Sequence, residues 1–209
     1  MTSAVRPHAA HDQTNLPHVL RRAGQLGLLQ AAAVLVFSLI SRVLDGAPEL
    51  VLRSLIVLSG VAATTLLPGL WTRARTVEGI AGAAGIGLGA ATLFTVVDAI
   101  VLQPIGTYTN RWLAIGGGSN WWYLPVWWMV GTFLPWMGAY ALANQTAKSG
   151  APSPVGVLVT SLVLAAIFGA VAVAIGFPGA SLGLGTFSVA FLPAIALTVL
   201  VTGVGVKRG

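Results

Sequence analysis

Apolar residues dominate this chain in six long runs, separated by short polar or turn-forming breaks. Each run approaches the roughly 20 residues that a helix needs to cross a hydrocarbon core. The runs extend from Gly24 to Leu44, Pro48 to Leu70, Thr76 to Leu102, Trp121 to Ala143, Ser153 to Gly176 and Leu182 to Val206. The pattern therefore predicts an all-α integral membrane protein: a bundle of six transmembrane helices forming one domain over residues 21–209. A polar tail over residues 1–20 precedes it, too poor in apolar side chains to fold alone and expected to order only against a partner.

The breaks carry their own signals. Pro48 and Pro154 suit a first helical turn, where the missing N–H is no loss, and Ser153 is a candidate N-cap. Thr76 with Glu78 places a cap and a negative charge at the start of the third helix. Glu49 precedes Arg53 by one helical turn, a favourable ion-pair spacing. Pro104 with Gly106, and Phe177-Pro178-Gly179, read as breaks.

Composition narrows the chemistry. Of 209 residues, 56% are hydrophobic and 8% charged, against about 25% charged in soluble domains. Cysteine is absent from the chain, which excludes disulfides, iron–sulfur clusters and thiolate nucleophiles. The net charge of +6 comes from basic residues dispersed between spans, so it points to membrane orientation and not to nucleic acid. Arg6, Arg21, Arg22, Arg73, Arg75, Lys148, Lys207 and Arg208 fall on the amino-terminal side, against Arg42, Arg53 and Arg111 on the other. By the positive-inside rule both termini are expected in the cytoplasm, with the chain in a bacterial inner membrane.

Few residues carry candidate chemistry. Asp98 is the one acidic residue well inside a predicted span, and such groups are functional or ion-paired. The expected arrangement is a buried carboxylate paired with Arg111, Arg42 or Arg53, all on its side. The same helix carries Gly79, Ala83, Gly87 and Ala91, with Gly85 and Gly89 beside them. Small residues at that spacing let helix backbones approach closely, which predicts a central position for the third helix.

Six of the seven tryptophans lie between Trp112 and Trp136. Trp121 and Trp122 suit an interfacial belt, whereas Trp127, Trp128 and Trp136 lie deeper, where they would meet another subunit or a hydrophobic ligand. A lipid, quinone, carotenoid or tetrapyrrole would suit such a site. Gly116-Gly117-Gly118 lacks the context of a phosphate loop and reads as a turn. All three histidines, His8, His11 and His18, fall in the tail, so intramembrane haem ligation is excluded and no metal or catalytic site is expected.

These features favour a non-catalytic accessory subunit of a larger membrane complex, of respiratory or photosynthetic kind, with membrane lipids and other subunits as partners. A small transporter or channel for a neutral or lipophilic solute is the alternative. It would need Asp98, Thr64, Thr65, Thr95 or Thr160 around a cavity, and helices broken at Pro68, Pro135 or Pro193. An enzyme acting on lipids would depend on Asp98 alone as its acid or base.

Overall fold

The computed structural model describes residues 12–108 and 123–206, with Tyr123 described by its backbone alone. Among the described residues six α-helices follow one another: α1 (Leu16–Val43), α2 (Gly46–Thr72), α3 (Val77–Val97), α4 (Tyr123–Ser149), α5 (Pro154–Ala174) and α6 (Leu184–Gly203). A π-helical turn, Asp98–Leu102, continues α3. The described residues include no strand. Among the described residues five helices, α1, α2, α3 with its π turn, α5 and α6, are long and apolar enough to cross a membrane. The fourth has 27 residues. Its tryptophans and prolines contribute less hydropathy than leucine or valine, and it falls outside that set.

Helix α3 is the most buried of these spans and touches α1, α2 and α4, as the small-residue stripe predicts. Helix α4 continues the bundle toward α6, against which α5 packs. Phe191 and Ile195 of α6, Leu142 of α4 and Val157 of α5 fill the core between those three helices. Polar side chains tie the same region together. Ser161 and Thr198 share a 3.0 Å hydrogen bond, and the Asn144 amide donates to the Val199 carbonyl at 3.1 Å. Among membrane helices such bonds and close packing supply the cohesion that water supplies elsewhere.

Two glycines show how tightly α4 is held. Pro135 has no N–H, so the Gly131 carbonyl lacks its usual helical donor. Gly87 of α3 lies against that carbonyl and the Pro135 ring, where a Cβ would collide with both. Two turns further along α4, a Cβ on Gly138 would strike the Thr65 carbonyl of α2. Gly89 faces α1, with a Cβ position 2.8 Å from the Ala23 methyl. Ala83 and Ala91 are fully buried. Gly85 is exposed and near only Val19, so this member of the stripe makes no close helix contact.

The amino-terminal segment is anchored within the chain from Asp12 onward. Asp12 accepts hydrogen bonds from the backbone N–H of Arg75, Thr76 and Gly79 at 3.0–3.1 Å, and from the Thr76 hydroxyl at 2.5 Å. It thereby caps α3, while the local candidate Thr76 makes no side-chain cap of its own. The Gln13 N–H donates to the Thr72 carbonyl, and the Thr14 hydroxyl to Glu78. His18 meets the Trp71 carbonyl at 3.1 Å, and the Arg22 guanidinium lies 5.0 Å from the Trp71 ring. Residues 12–14 thus find their partners where α2 ends and α3 begins, whereas residues 1–11, with His8 and His11, lie outside the described residues.

These contacts place the start of α1 beside the end of α2 and the start of α3. Asn144 links the carboxyl-terminal half of α4 to that of α6. Gln145 links α4 to the start of α5 through Ser153. At the opposite end Ser38 donates to the Thr107 carbonyl at 2.5 Å, and Arg42 donates to the Gly106 carbonyl.

Candidate ligand cavity and its polar neighbours

A cavity of about 320 Å³ lies between α1, α2 and α4. It exists because small residues face one another there: Ala33 on α1, Gly60 and Ala63 on α2, and Gly131 on α4. A Cβ on Gly60 would have no neighbour within 4 Å. Apolar side chains make most of the remaining wall, among them Leu26, Phe37, Val57 and Leu134. Trp127 contributes its indole, whose ring stacks at a tilt on Phe94 with centroids 4.7 Å apart.

Besides the Trp127 indole, two lining residues carry polar side chains, Gln30 and Thr64. The Gln30 amide nitrogen donates to the Thr64 hydroxyl at 3.2 Å, joining the middle of α1 to the second half of α2. Gln30 is 8% exposed, and its Oε1 has no hydrogen-bond partner. Neither residue is ionisable; Thr64 is among the polar candidates that the sequence offers, and Gln30 is not. The available signal for Gln30 is its isolation: one amide in the apolar run from Leu26 to Leu35.

The tryptophans divide by helical face. Trp127 turns inward to the cavity. Trp128 is 42% exposed, and its indole N–H donates to the Thr95 hydroxyl at 2.9 Å. Trp136 is 46% and Met129 71% exposed, so α4 presents an aromatic and thioether face outward. Trp121 and Trp122 lie outside the described residues.

Asp98 is buried at 1% exposure, but its described partners are not arginines. The Gln103 amide donates to it at 2.7 Å and the Tyr108 hydroxyl donates to the other carboxylate oxygen. The π turn brings both donors back over Asp98. Arg42 is held by the Gly106 carbonyl. Arg53 pairs with Glu49 at 3.3 Å, as their spacing predicts, and its guanidinium lies 5.0 Å from the Phe37 ring. The expected pairing of Asp98 with Arg42 or Arg53 is therefore replaced by neutral donors, and Arg111 lies outside the described residues. Geometrically, Asp98 organises the chain reversal after α3.

Of the other polar candidates, Thr64 lines the cavity and Thr65 is buried against Gly138. Thr95 serves Trp128 as acceptor. No group of three or more His, Asp or Glu side chains that could hold a metal occurs among the described residues. No family model, curated protein or solved structure matches this chain.

Proposed function

We propose that this chain is a non-catalytic accessory subunit of a larger membrane complex, with the cavity beside α4 holding a hydrophobic molecule. In this reading it crosses a bacterial inner membrane six times with both termini in the cytoplasm. Arg21, Arg22, Arg73, Arg75 and Lys148 gather at the end of the bundle where α1 begins, which supports that orientation.

The observation that carries the proposal is the double-sided arrangement of α4. Trp136 lies roughly 20 Å along the helix from Tyr123 at about 1.5 Å per residue, well within a hydrocarbon core of about 30 Å. Tryptophan prefers the interface, so a half-exposed indole at that depth fits protein or ring-bearing ligand better than bulk lipid. On its opposite face the same helix lines an apolar cavity. A path for a polar solute would need wetted walls at this depth, and this wall is predominantly hydrocarbon.

The deciding experiment is native mass spectrometry of protein extracted gently from its own membrane, with an absorption spectrum of the same sample. Co-purifying polypeptides are expected, with or without a chromophore. A colourless chain free of other subunits would refute the accessory role and favour a transporter of lipophilic solutes.

A further inference from the structure

We infer that a second, smaller pocket, between the α2–α3 turn and the end of α4, binds the phosphate of an anionic phospholipid headgroup through Arg73 and Arg75. It shares no lining residue with the larger cavity, and the inference does not depend on what that cavity holds. Arg73 and Arg75 of the turn, Leu70 of α2, Leu142 and Thr146 of α4, and Pro152 of the following loop line it. Its volume of about 100 Å³ is well below the roughly 300 Å³ at which pockets for whole organic ligands begin, so it suits one compact group. The floor and one wall are fixed. A Cβ on Gly69 would come 2.8 Å from the Ala139 Cα, and Gln145 holds the α4–α5 loop by accepting from the Ser153 N–H at 2.9 Å.

Both arginines are exposed, and among the described residues neither guanidinium has a carboxylate or hydrogen-bond partner. The described carboxylates at this end are engaged elsewhere, Asp12 at the start of α3 and Glu78 with the Thr14 hydroxyl. The positive-inside rule accounts for the sign of charge at this end but not for two unpaired arginines at one pocket. Nor does the helix dipole. It favours a cation where α2 ends but disfavours Arg75, which immediately precedes Thr76, the N-cap of α3. Arg73 adds an independent sign. With φ at 50° it holds the left-handed position that closes α2, its N–H on the Leu70 carbonyl and the Ala74 N–H on the Gly69 carbonyl. Glycine is the usual residue in that motif because a Cβ is strained there, so what the position gains from arginine is the side chain. Two phosphate oxygens match the planar fork of a guanidinium. At the end of a membrane bundle the phospholipid headgroup presents that group, and basic pockets between spanning helices bind such headgroups. Leu70, Leu142 and Pro152 give the glycerol backbone an apolar surface that a free phosphate would not use. A zwitterionic headgroup sets its own cation against the arginines and is disfavoured.

The test uses the full chain, purified with any accompanying subunits, in native mass spectrometry with dioleoyl phosphatidylglycerol, the matching phosphatidylcholine and inorganic phosphate as probes. Phosphatidylglycerol should bind about thirtyfold more tightly than phosphatidylcholine, about fivefold for each arginine. Arg73→Gln and Arg75→Gln should each lose about fivefold, and the double variant the whole preference. Arg21→Gln, which removes the same charge from α1 outside the pocket, should change the preference by less than about twofold, being screened. Arg73→Gly separates binding from folding, because glycine relieves the left-handed backbone. It should lose the same affinity while unfolding no earlier than the wild type without added lipid. Equal binding of the two lipids, a preference that survives in the double variant, or one that falls as far in Arg21→Gln as in the pocket variants overturns the site. Displacement of the lipid by inorganic phosphate, dependent on Arg73 and Arg75, overturns the lipid assignment. Phosphatidylglycerol that binds only after accompanying subunits are stripped away overturns it as well, the pocket then being a protein contact.

Discussion

Replacing Asp12 with alanine removes the cap of α3 without touching α3 itself. The carboxylate accepts from three backbone N–H groups and one hydroxyl, at Arg75, Thr76 and Gly79. Loss of an N-cap side chain costs about 0.5–2 kcal/mol. Its charge near the helix dipole contributes about 0.3–1 kcal/mol, partly the same energy counted differently. Asp12 is half-exposed, so solvent screens part of this. The freed Thr76 hydroxyl can also turn to cap its own helix. A net loss of about 1–2 kcal/mol is expected, and about half of that for Asp12→Asn, which keeps one acceptor oxygen. Unfolding by denaturing detergent, followed by circular dichroism, gives the global value. Hydrogen exchange should show protection falling first at Thr76 and Gly79. If Asp12→Ala unfolds like the wild type and the Gly79 amide stays protected, Asp12 is not the cap.

Five further substitutions, at four positions, test the packing and the polar contacts. Asp98→Ala should cost about 2–3 kcal/mol, since it strands the Tyr108 and Gln103 donors, whereas Asp98→Asn should retain more than half of that stability; equal losses in the same unfolding assay would contradict the hydrogen-bond account. Gly138→Ala should cost at least about 1–3 kcal/mol by driving α4 off the Thr65 carbonyl, while Gly60→Ala should be neutral or stabilise by up to about 1 kcal/mol. A thermal shift of the same sign and size for both glycines would refute the difference in space around them. Thr95→Val should remove the acceptor of the Trp128 indole and cost about 0.5–1.5 kcal/mol, with a shift in the indole N–H resonance as the direct readout.

How far the sequence reveals this protein depends on the range over which each feature is decided. Each of the six apolar runs contains a helix, and five of these helices are long and apolar enough to cross a membrane, because hydropathy along one segment is what commits it to a helix there. The start of α1 differs for a local reason. Asn15 accepts from the His18 N–H and Pro17 occupies the first turn, so the helix begins at Leu16, before hydropathy rises at Gly24. The Gly87 and Gly89 contacts were legible because residue size alone limits how near two backbones can come. The cap of α3 was not, since its donors and its carboxylate are separated by more than sixty residues and meet only after α1 and α2 have folded back. Asp98 was recognised as buried, but its partners follow from a π turn whose spacings of five and ten residues match no regular helix face. The cavity is hardest to anticipate because it is what α1, α2 and α4 leave unfilled. Gly60 reads in sequence like any packing glycine, yet its surroundings are empty, while Gly138 reads the same and meets a carbonyl. Residue type sets how closely helices can approach, but whether they do is decided by the contacts on every other face. Gln30 acquires meaning only at that level, as a lone amide whose second function the protein's own described residues leave unmet.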